Sequence, residues 1–383
     1  MNRRDFIRLS IVATTCLLSP LDIFAKPNSK KTLVLIELNG GNDSLNMVVP
    51  YDSENYYKLR KNIAISKSDL NIIDEQLGLN KNMEFVSSLY KNNKVAIVNG
   101  LGYENPNLSH FRSIEIVETA SESNEYLKKG WLSSQLERFV LNEISPTSAI
   151  VLGKRKKGHL FSKNIDVVQI KNIENFIKKS NTLVMGKSSH NENSSLNFFH
   201  KQNVSIQKTN QTLNKFAKNI NIVQKFENTD ISNDFKEALK IIKSKMNIPV
   251  LKLSHKGYDT HAGQVEKHGG LLKDLDNAIA SFVQELEQEG LFDDVLIMTY
   301  SEFGRRVKEN GSLGTDHGTA SSQFVIGGKV KGGLYGKFPN MDKLIKNNLK
   351  YTTEYKSLYN TVLHKWFMDD QNKYKNFELL EFL

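Results

Sequence analysis

Residues 248–300 read IPVLKLSHKGYDTHAGQVEKHGGLLKDLDNAIASFVQELEQEGLFDDVLIMTY, and this stretch decides the fold. It opens with the apolar run Ile248–Leu253 and closes with the apolar run Val295–Tyr300. Between them, the large apolar residues of segment 264–289 recur every three or four positions, which predicts a helix with one buried face that ends at Gly290. This strand–helix–strand order predicts a doubly wound α/β fold.

Further apolar runs along the chain predict additional strands. These runs are Leu33–Leu38, Val95–Val98, Ala149–Leu152 and Phe324–Ile326. They are continuous rather than alternating, which indicates strands buried on both faces of a mostly parallel central sheet flanked by helices. Residues 154–245 are instead rich in Lys, Asn and Ser, and they predict a mainly helical insertion with a loose stretch around 186–196.

The N-terminus predicts an export signal over residues 1–25, which leaves 26–383 as the α/β domain. A basic start is followed by the apolar run Ile11–Leu18, and the order Arg-Arg-Asp-Phe-Ile from Arg3 on is typical of twin-arginine signals. The alternative is an uncleaved membrane anchor, but the apolar run is shorter than the roughly 20 residues that span a bilayer. We therefore expect a periplasmic or secreted protein.

The composition excludes several functional classes. The single cysteine, Cys16, lies in the predicted signal, so the mature chain has no disulfide and no thiolate nucleophile or metal ligand. The net charge of +10 comes from lysines spread along the chain, and no nucleic-acid-binding motif accompanies them. No later segment is apolar over the roughly 18 residues that a stable membrane insertion needs. The sequence leaves the oligomeric state open.

Polar side chains follow the predicted strands, at the edge of the sheet where open α/β folds bind ligands. Each of them alone is explained by a turn, a helix cap or a surface ion pair. Together they predict one shared, metal-binding site, because carboxylate and imidazole groups are ligands of zinc and similar divalent metals. The residues are Asp43, Ser109, Asp259, His261, Glu302, Asp316 and His317, with Arg305 and Arg306 beside them.

These residues lie in stretches that resemble the domain-of-unknown-function 1501 family, exported bacterial proteins distantly similar to alkaline phosphatases and sulfatases. The matching stretches are residues 38–46, 109–111, 258–261, 301–305, 315–318 and 332–336. The resemblance implies an alkaline-phosphatase-like fold with two divalent metals. Carried over by order, it implies that Asp259, His261 and His317 hold one metal, while Asp43 and Glu302 hold the other.

One departure from the pattern of that superfamily affects the second metal. Phe303 stands where a histidine ligand is expected. The second metal is then lost, bound through Asp316 or His110, or replaced by a harder ion. Zinc is the first expectation for the cofactor, with calcium or magnesium as alternatives.

The resemblance implies a hydrolase of phosphate esters, with sulfate esters second, acting on an anionic small-molecule or glycan ester. Ser109 precedes a predicted helix, where a hydroxyl either caps the helix or acts as a nucleophile beside the helix dipole. Arg305 or Arg306 would hold the anionic group. The alternative function is a non-catalytic exported protein that binds anionic glycans or a protein partner through a degenerate cleft.

Overall fold

The computed structural model describes residues 31–141, 145–154, 157–162, 165–182, 194–216 and 220–383. The predicted signal peptide, residues 1–25, lies outside the described residues, as do residues 186–193 of the predicted loose stretch. Residues 194–196 of that stretch are helical instead. Within the described ranges, no helix is both long enough and apolar enough to cross a membrane.

The strands of the described chain are mostly short and apolar. Their bounds are β1 Thr32–Asn39, β2 Val48–Val49, β3 Leu70–Ile72, β4 Gly78–Asn80, β5 Val95–Gly102, β6 Ala149–Leu152, β7 Val167–Ile170, β8 Val250–Lys256, β9 Val295–Tyr300, β10 Arg305–Glu309, β11 Thr315–His317, β12 Ser321–Gly327, β13 Gly333–Tyr335 and β14 Thr353–Glu354.

The α-helices lie between the strands. Their bounds are α1 Ser44–Met47, α2 Glu54–Leu59, α3 Glu84–Lys91, α4 His110–Thr119, α5 Ser133–Leu141, α6 Ile173–Asn181, α7 Ser194–Phe216, α8 Asp230–Lys243, α9 Gln264–Gln288 and α10 Tyr355–Thr361. Helix α9 occupies nearly the whole of the predicted segment 264–289, and Gly290 follows it with a positive φ of 67°.

The central sheet has the strand order β13-β5-β12-β9-β1-β8-β6-β7, and β14 also pairs with β5. The pairs formed by β1 with β8 and β9, and by β6 with β7 and β8, are all parallel. Helices cover both faces of this mostly parallel sheet, so the predicted α/β architecture is confirmed.

Strand β12 runs antiparallel to both of its neighbours, β5 and β9. Its amino-terminal end therefore lies at the edge where the parallel strands have their carboxyl ends. This places the segment before β12, which contains Asp316 and His317, beside the loops that follow β1, β8 and β9. Within this segment, Thr315–His317 forms strand β11, which pairs with β10.

Alternate residues of the sheet enter two hydrophobic cores, as the pleat of a β-strand requires. Val34 and Ile36 of β1 face the first core, which contains apolar residues of α3, α8 and α9. Leu33 and Leu35 face the second core, which contains residues of α4, α5 and α10 and of the C-terminal segment. Burial on both faces explains why the strand sequences are continuous apolar runs.

The region 154–245 is mainly helical, but it also contributes to the sheet. Its helices are α6, α7 and α8, and β7 adds the edge strand beside β6. Strand β8 begins at Val250, later than the predicted start at Ile248. Pro249 between them has no N–H to donate to a strand ladder, which explains the shift.

Helix α3 is capped from a different helix. Its own N-cap residue, Met83, provides no side-chain hydrogen bond. Instead, Asp276 of α9 accepts hydrogen bonds from the N–H groups of Phe85 and Val86 at 2.9 and 2.8 Å. The Asp276 side chain is buried, and this burial raises the pKa of its carboxyl from 3.8 to about 6. The cap joins α3 to α9 in the first core.

The raised pKa of Asp276 predicts a pH-dependent stability. The pKa of the Asp276 carboxyl is higher in the folded state than in the unfolded chain. The stability that the neutral carboxyl contributes is therefore complete below about pH 4 and is lost as the pH rises to about 6. The variant Asp276→Asn keeps an oxygen for the two N–H groups but has no charge to bury. We expect urea unfolding to show Asp276→Asn more stable than the wild type by about 2–3 kcal/mol at pH 8, and nearly equal at pH 4.

The control for this prediction is Glu287→Gln, which removes a carboxylate from an exposed position of the same helix. It should change the pH dependence little. The prediction is contradicted if the unfolding free energy of Asp276→Asn differs from that of the wild type by the same amount at pH 4 and at pH 8.

Candidate metal centre

Three side chains from distant parts of the chain meet at the carboxyl edge of the sheet. His110 is the first residue of α4, Asp259 lies in the loop after β8, and His317 ends β11. One ligand atom from each of them lies within 4.8 Å of the other two. The chain therefore brings two imidazoles and one carboxylate together in a half-exposed position.

His261 adds a third imidazole to this group. Its Nε2 atom lies 3.0 Å from Asp259 Oδ1 and 3.0 Å from His317 Nε2. His317 Nε2 in turn lies 3.3 Å from Asp259 Oδ1. Two ligands bound tetrahedrally to one zinc ion at 2.0–2.1 Å are separated by about 3.3 Å. The spacing and the donor types of these residues therefore fit a zinc ion.

Hydrogen bonds behind the ligands fix the orientation of two imidazoles. His110 Nδ1 donates to Glu302 Oε1 at 2.9 Å, and His317 Nδ1 donates to the carbonyl of Leu108 at 2.8 Å. Both histidines therefore direct Nε2 towards Asp259, as metal-binding histidines with a second hydrogen-bond partner do. Glu302 is only 1% exposed. The structure thus places this predicted ligand behind His110 rather than among the ligand atoms.

The surroundings shift the pKa values of His110 and His317 in opposite directions. The hydrogen bond to Glu302 raises the pKa of His110 above its ordinary value, against the effect of burial. Burial opposes ionisation of Glu302, but the bond from His110 and backbone N–H groups outweigh it, so the pKa of Glu302 is lowered. Burial lowers the pKa of His317, which favours its neutral, metal-binding form.

Arg305 has a different role from the one that the sequence predicted. Its side chain is buried, and Nε donates to the carbonyl of Gly41 at 2.6 Å. The two terminal nitrogens donate to the carbonyls of Gly40, Tyr258 and Thr315. One of them also reaches Asp259 Oδ1 at 2.6 Å. Because these acceptors occupy the guanidinium, Arg305 holds the loops together and is not free to bind a substrate anion.

The charge of Arg305 also acts on Asp259. Burial opposes ionisation of the Asp259 carboxyl, but the hydrogen bond and the charge of Arg305 outweigh it, so its pKa lies below the ordinary value. The carboxylate is therefore ready to bind a cation at neutral pH.

Asp43 is not brought into the group. It caps α1 by accepting from the N–H of Leu45, and its two oxygens lie 2.6 and 3.0 Å from the guanidinium nitrogens of Arg60. Gln264 donates to it as well. Both partners of the ion pair are fully buried. The structure therefore corrects the predicted metal ligand to a buried structural charge.

Asp316 lies at the outer side of the group. Its Oδ1 atom is 3.6 Å from His261 Nδ1, and its Oδ2 atom is 3.9 Å from a guanidinium nitrogen of Arg306. The Arg306 side chain is 41% exposed, unlike the buried Arg305. Of the two predicted anion-binding arginines, Arg306 is thus the accessible one.

Ser109 lies next to the candidate ligand His110, at the N-cap position of α4. Its side chain is exposed and forms no capping hydrogen bond with the helix. The predicted helix start is therefore confirmed, while the hydroxyl does not serve the helix as a cap. An exposed hydroxyl at this position lies beside the partial positive charge of the helix N-terminus.

Phe303 forms an apolar wall of the group. Its ring centroid lies 4.6 Å from that of His317 and 5.0 Å from that of His110. It occupies the position where the resemblance implied a histidine, and its side chain supplies no ligand atom there.

The sequence signals for the remaining residues were weak. The sequence indicated His110 only as an alternative ligand, although it directly follows Ser109 in the chain. Arg60 and Gln264, the partners of Asp43, were missed. Nothing in their local sequence distinguishes them from surface residues, because their role depends on the folded position of Asp43.

The chain is similar in structure to several solved proteins, at low identity. One is the C-terminal periplasmic domain of EcEptC from Escherichia coli in complex with zinc, with 10% identity, a TM-score of 0.39, and coverage of 79% of this chain and 74% of that one. Another is a protein of the alkaline phosphatase superfamily from Vibrio parahaemolyticus, with 10% identity, a TM-score of 0.39, and coverage of 88% and 67%.

A third is the PsFucS1 sulfatase from Pseudoalteromonas sp., with 12% identity, a TM-score of 0.39, and coverage of 90% and 69%. No curated protein matches the sequence of the chain. The family model described as a protein of unknown function, DUF1501, matches residues 95–382, which include His110, Asp259 and His317. Since this match covers well over half of the sequence, the chain belongs to the DUF1501 family.

Proposed function

We propose that this protein is an exported, metal-dependent hydrolase of phosphate esters, with sulfate esters as second substrates. The observation that carries the proposal is the convergence of His110, Asp259 and His317, with His261 in contact with the last two. Ser109 is exposed and directly precedes His110 in the chain. A set of three imidazoles and one carboxylate favours zinc over calcium or magnesium, which prefer oxygen ligands.

A bound divalent metal supplies Lewis acidity, which polarises an ester oxygen and lowers the pKa of a nearby hydroxyl. The residues of the chain supply the rest of the chemistry. Glu302 and the Leu108 carbonyl hold the imidazoles of His110 and His317 in the orientation that ligation needs. The N–H groups at the start of α4 are suited to bind the anionic group of the substrate.

Ser109 is the proposed nucleophile. Its oxygen attacks phosphorus and forms a Ser109–phosphate bond, while the bond from phosphorus to the substrate alcohol breaks. The departing alcohol takes up the proton that the Ser109 hydroxyl has lost. Water then hydrolyses the Ser109–phosphate ester and releases inorganic phosphate. Arg306, rather than the occupied Arg305, is the side chain available to hold the phosphate oxygens.

Phosphate is preferred to sulfate because of the residues around Ser109. The chain reads Ser109-His-Phe-Arg112 at this point. This order differs from the setting in which sulfatases modify their catalytic Cys or Ser. We place the activity outside the cytoplasm, on the basis of the signal-like residues 1–25. The substrate would be an anionic small-molecule or glycan ester.

The first prediction concerns metal binding. After treatment with a chelator, the wild-type protein should bind one zinc ion, measured by calorimetry and by elemental analysis. We expect His317→Ala to abolish this stoichiometric binding, because it removes a ligand. Glu302→Gln should weaken it by about 10–100-fold, because it removes the charge that orients His110.

His364→Gln is the matched control, since His364 is paired with Asp370 far along the chain from the proposed ligands. It should bind zinc as the wild type does. A wild-type protein that takes up no zinc, calcium or magnesium would remove the metal from the proposal and would favour the non-catalytic alternative.

The second prediction tests the reaction. We expect the zinc-loaded protein to hydrolyse 4-nitrophenyl phosphate faster than 4-nitrophenyl sulfate. Ser109→Ala should lower kcat for the phosphate by about a thousandfold, because the nucleophile is lost. Absorbance of the released nitrophenolate measures both rates.

Ser134→Ala, at an exposed position of α5, is the control for this substitution and should leave kcat unchanged. Undiminished turnover by Ser109→Ala would exclude Ser109 as the nucleophile. A zinc-loaded wild type that hydrolyses neither ester would instead support a binding function for the site.

The third prediction concerns export. Replacing both Arg3 and Arg4 by lysine should retain the protein in the cytoplasm, because the twin-arginine pair is the recognised feature of the signal. Cell fractionation followed by immunoblotting measures the distribution. The control variant Arg8→Lys should be exported normally. Export of the Arg3→Lys/Arg4→Lys variant at the wild-type level would disprove the twin-arginine route.

A further inference from the structure

An open groove of about 780 Å³ adjoins the metal centre. It lies between the loop 102–108 that follows β5 and the segment 345–351 that precedes β14. Sites for organic ligands generally measure about 300–1,000 Å³. The groove is therefore far larger than a phosphate group requires, and it is of the size that a substantial organic ligand fills.

The groove and the metal centre share two residues. Phe303 lines the groove, and its ring also packs against His110 and His317. Leu108 lines the groove as well, and its carbonyl accepts the hydrogen bond from His317 Nδ1. A ligand in the groove would thus lie directly beside the residues that hold the metal.

The rim of the groove carries a net positive charge. Lys346 and Lys350 are exposed on one wall, and Glu104 is the acidic residue that lines the other. Tyr351 lies beside the lysines and adds an aromatic ring to the wall. Exposed cations together with an aromatic ring favour a ligand that is anionic and cyclic.

Segment 345–348 forms a tight hairpin turn on one wall of the groove. Ile345 and Asn348 exchange backbone hydrogen bonds of 2.9 and 3.0 Å. Lys346 and Asn347 between them have positive φ angles of 50° and 66°, as in a two-residue type I′ turn. The turn leaves Lys346 exposed on the wall of the groove.

We propose that this groove binds the alcohol part of the substrate, and that this part is a negatively charged glycan. The inference rests on the proposed function for its connection to catalysis, since the ester bond would lie at the metal centre and the glycan would extend along the groove. The two lysines would contact sulfate, phosphate or carboxylate groups of the glycan.

The test measures binding without turnover. The full-length, zinc-loaded protein carrying Ser109→Ala is titrated by calorimetry with a sulfated hexasaccharide and, separately, with the desulfated hexasaccharide. We expect the sulfated form to bind more tightly by about tenfold or more, because it engages both lysines. Adding Lys346→Glu and Lys350→Glu should remove this preference.

The matched control adds Lys208→Glu and Lys236→Glu, which change the net charge equally at exposed positions of α7 and α8. This control should retain the preference for the sulfated form. Circular dichroism and thermal unfolding verify that both double variants are folded.

Three outcomes would overturn the inference. The first is equal affinity for the two hexasaccharides. The second is loss of the preference for the sulfated form in the control variant as well as in the groove variant. The third is binding of phosphatidylglycerol vesicles through the two lysines, with no binding of either saccharide. The two proposals can fail separately, because this test measures binding and not turnover. If the protein bound the saccharide but hydrolysed no ester, the proposed function would be rejected and the groove would remain a glycan site.

Discussion

Arg305 lies at the carboxyl edge of the sheet with its guanidinium buried, and its donors reach the loops after β1 and β8 as well as strand β11. A buried charge with unsatisfied donors would be costly, so these segments must stay docked around it. Asp259 contributes the opposite charge and is at the same time a member of the candidate metal centre. The position of this carboxylate, and of the imidazoles around it, therefore depends on one arginine that no substrate needs to touch.

The docking also explains the two glycines after β1. Gly40 and Gly41 have positive φ angles of 123° and 74°. A Cβ atom on Gly40 would lie 2.3 Å from the backbone nitrogen of Asp259, and one on Gly41 would lie 2.2 Å from the ring of Phe303. The two glycines thus permit close contact with other segments of the protein, and not with a ligand. It allows the β1 loop to lie against the β8 loop and lets Arg305 reach both.

The sequence predicted the sheet and three of the four residues in the candidate metal centre. Continuous apolar runs marked the central strands because both faces of the sheet are covered. Asp259, His261 and His317 could be assigned to one edge because polar residues after strand ends converge there. The partners of buried charges could not be predicted. From the sequence, Asp43 and Glu302 are both candidate metal ligands. In the fold, Asp43 instead forms an ion pair with Arg60, and Glu302 accepts a hydrogen bond from His110.

The ligand set is drawn from helix α4, the loop after β8 and strand β11, so it exists only when these elements have assembled. A metal ion bound there would recognise the folded chain and not the unfolded one. At a free metal concentration about a hundred times the Kd, such selective binding adds about 2.7 kcal/mol to the stability of the folded state. The metal supply of the compartment in which the chain folds would then help to determine how much of the chain is folded at all.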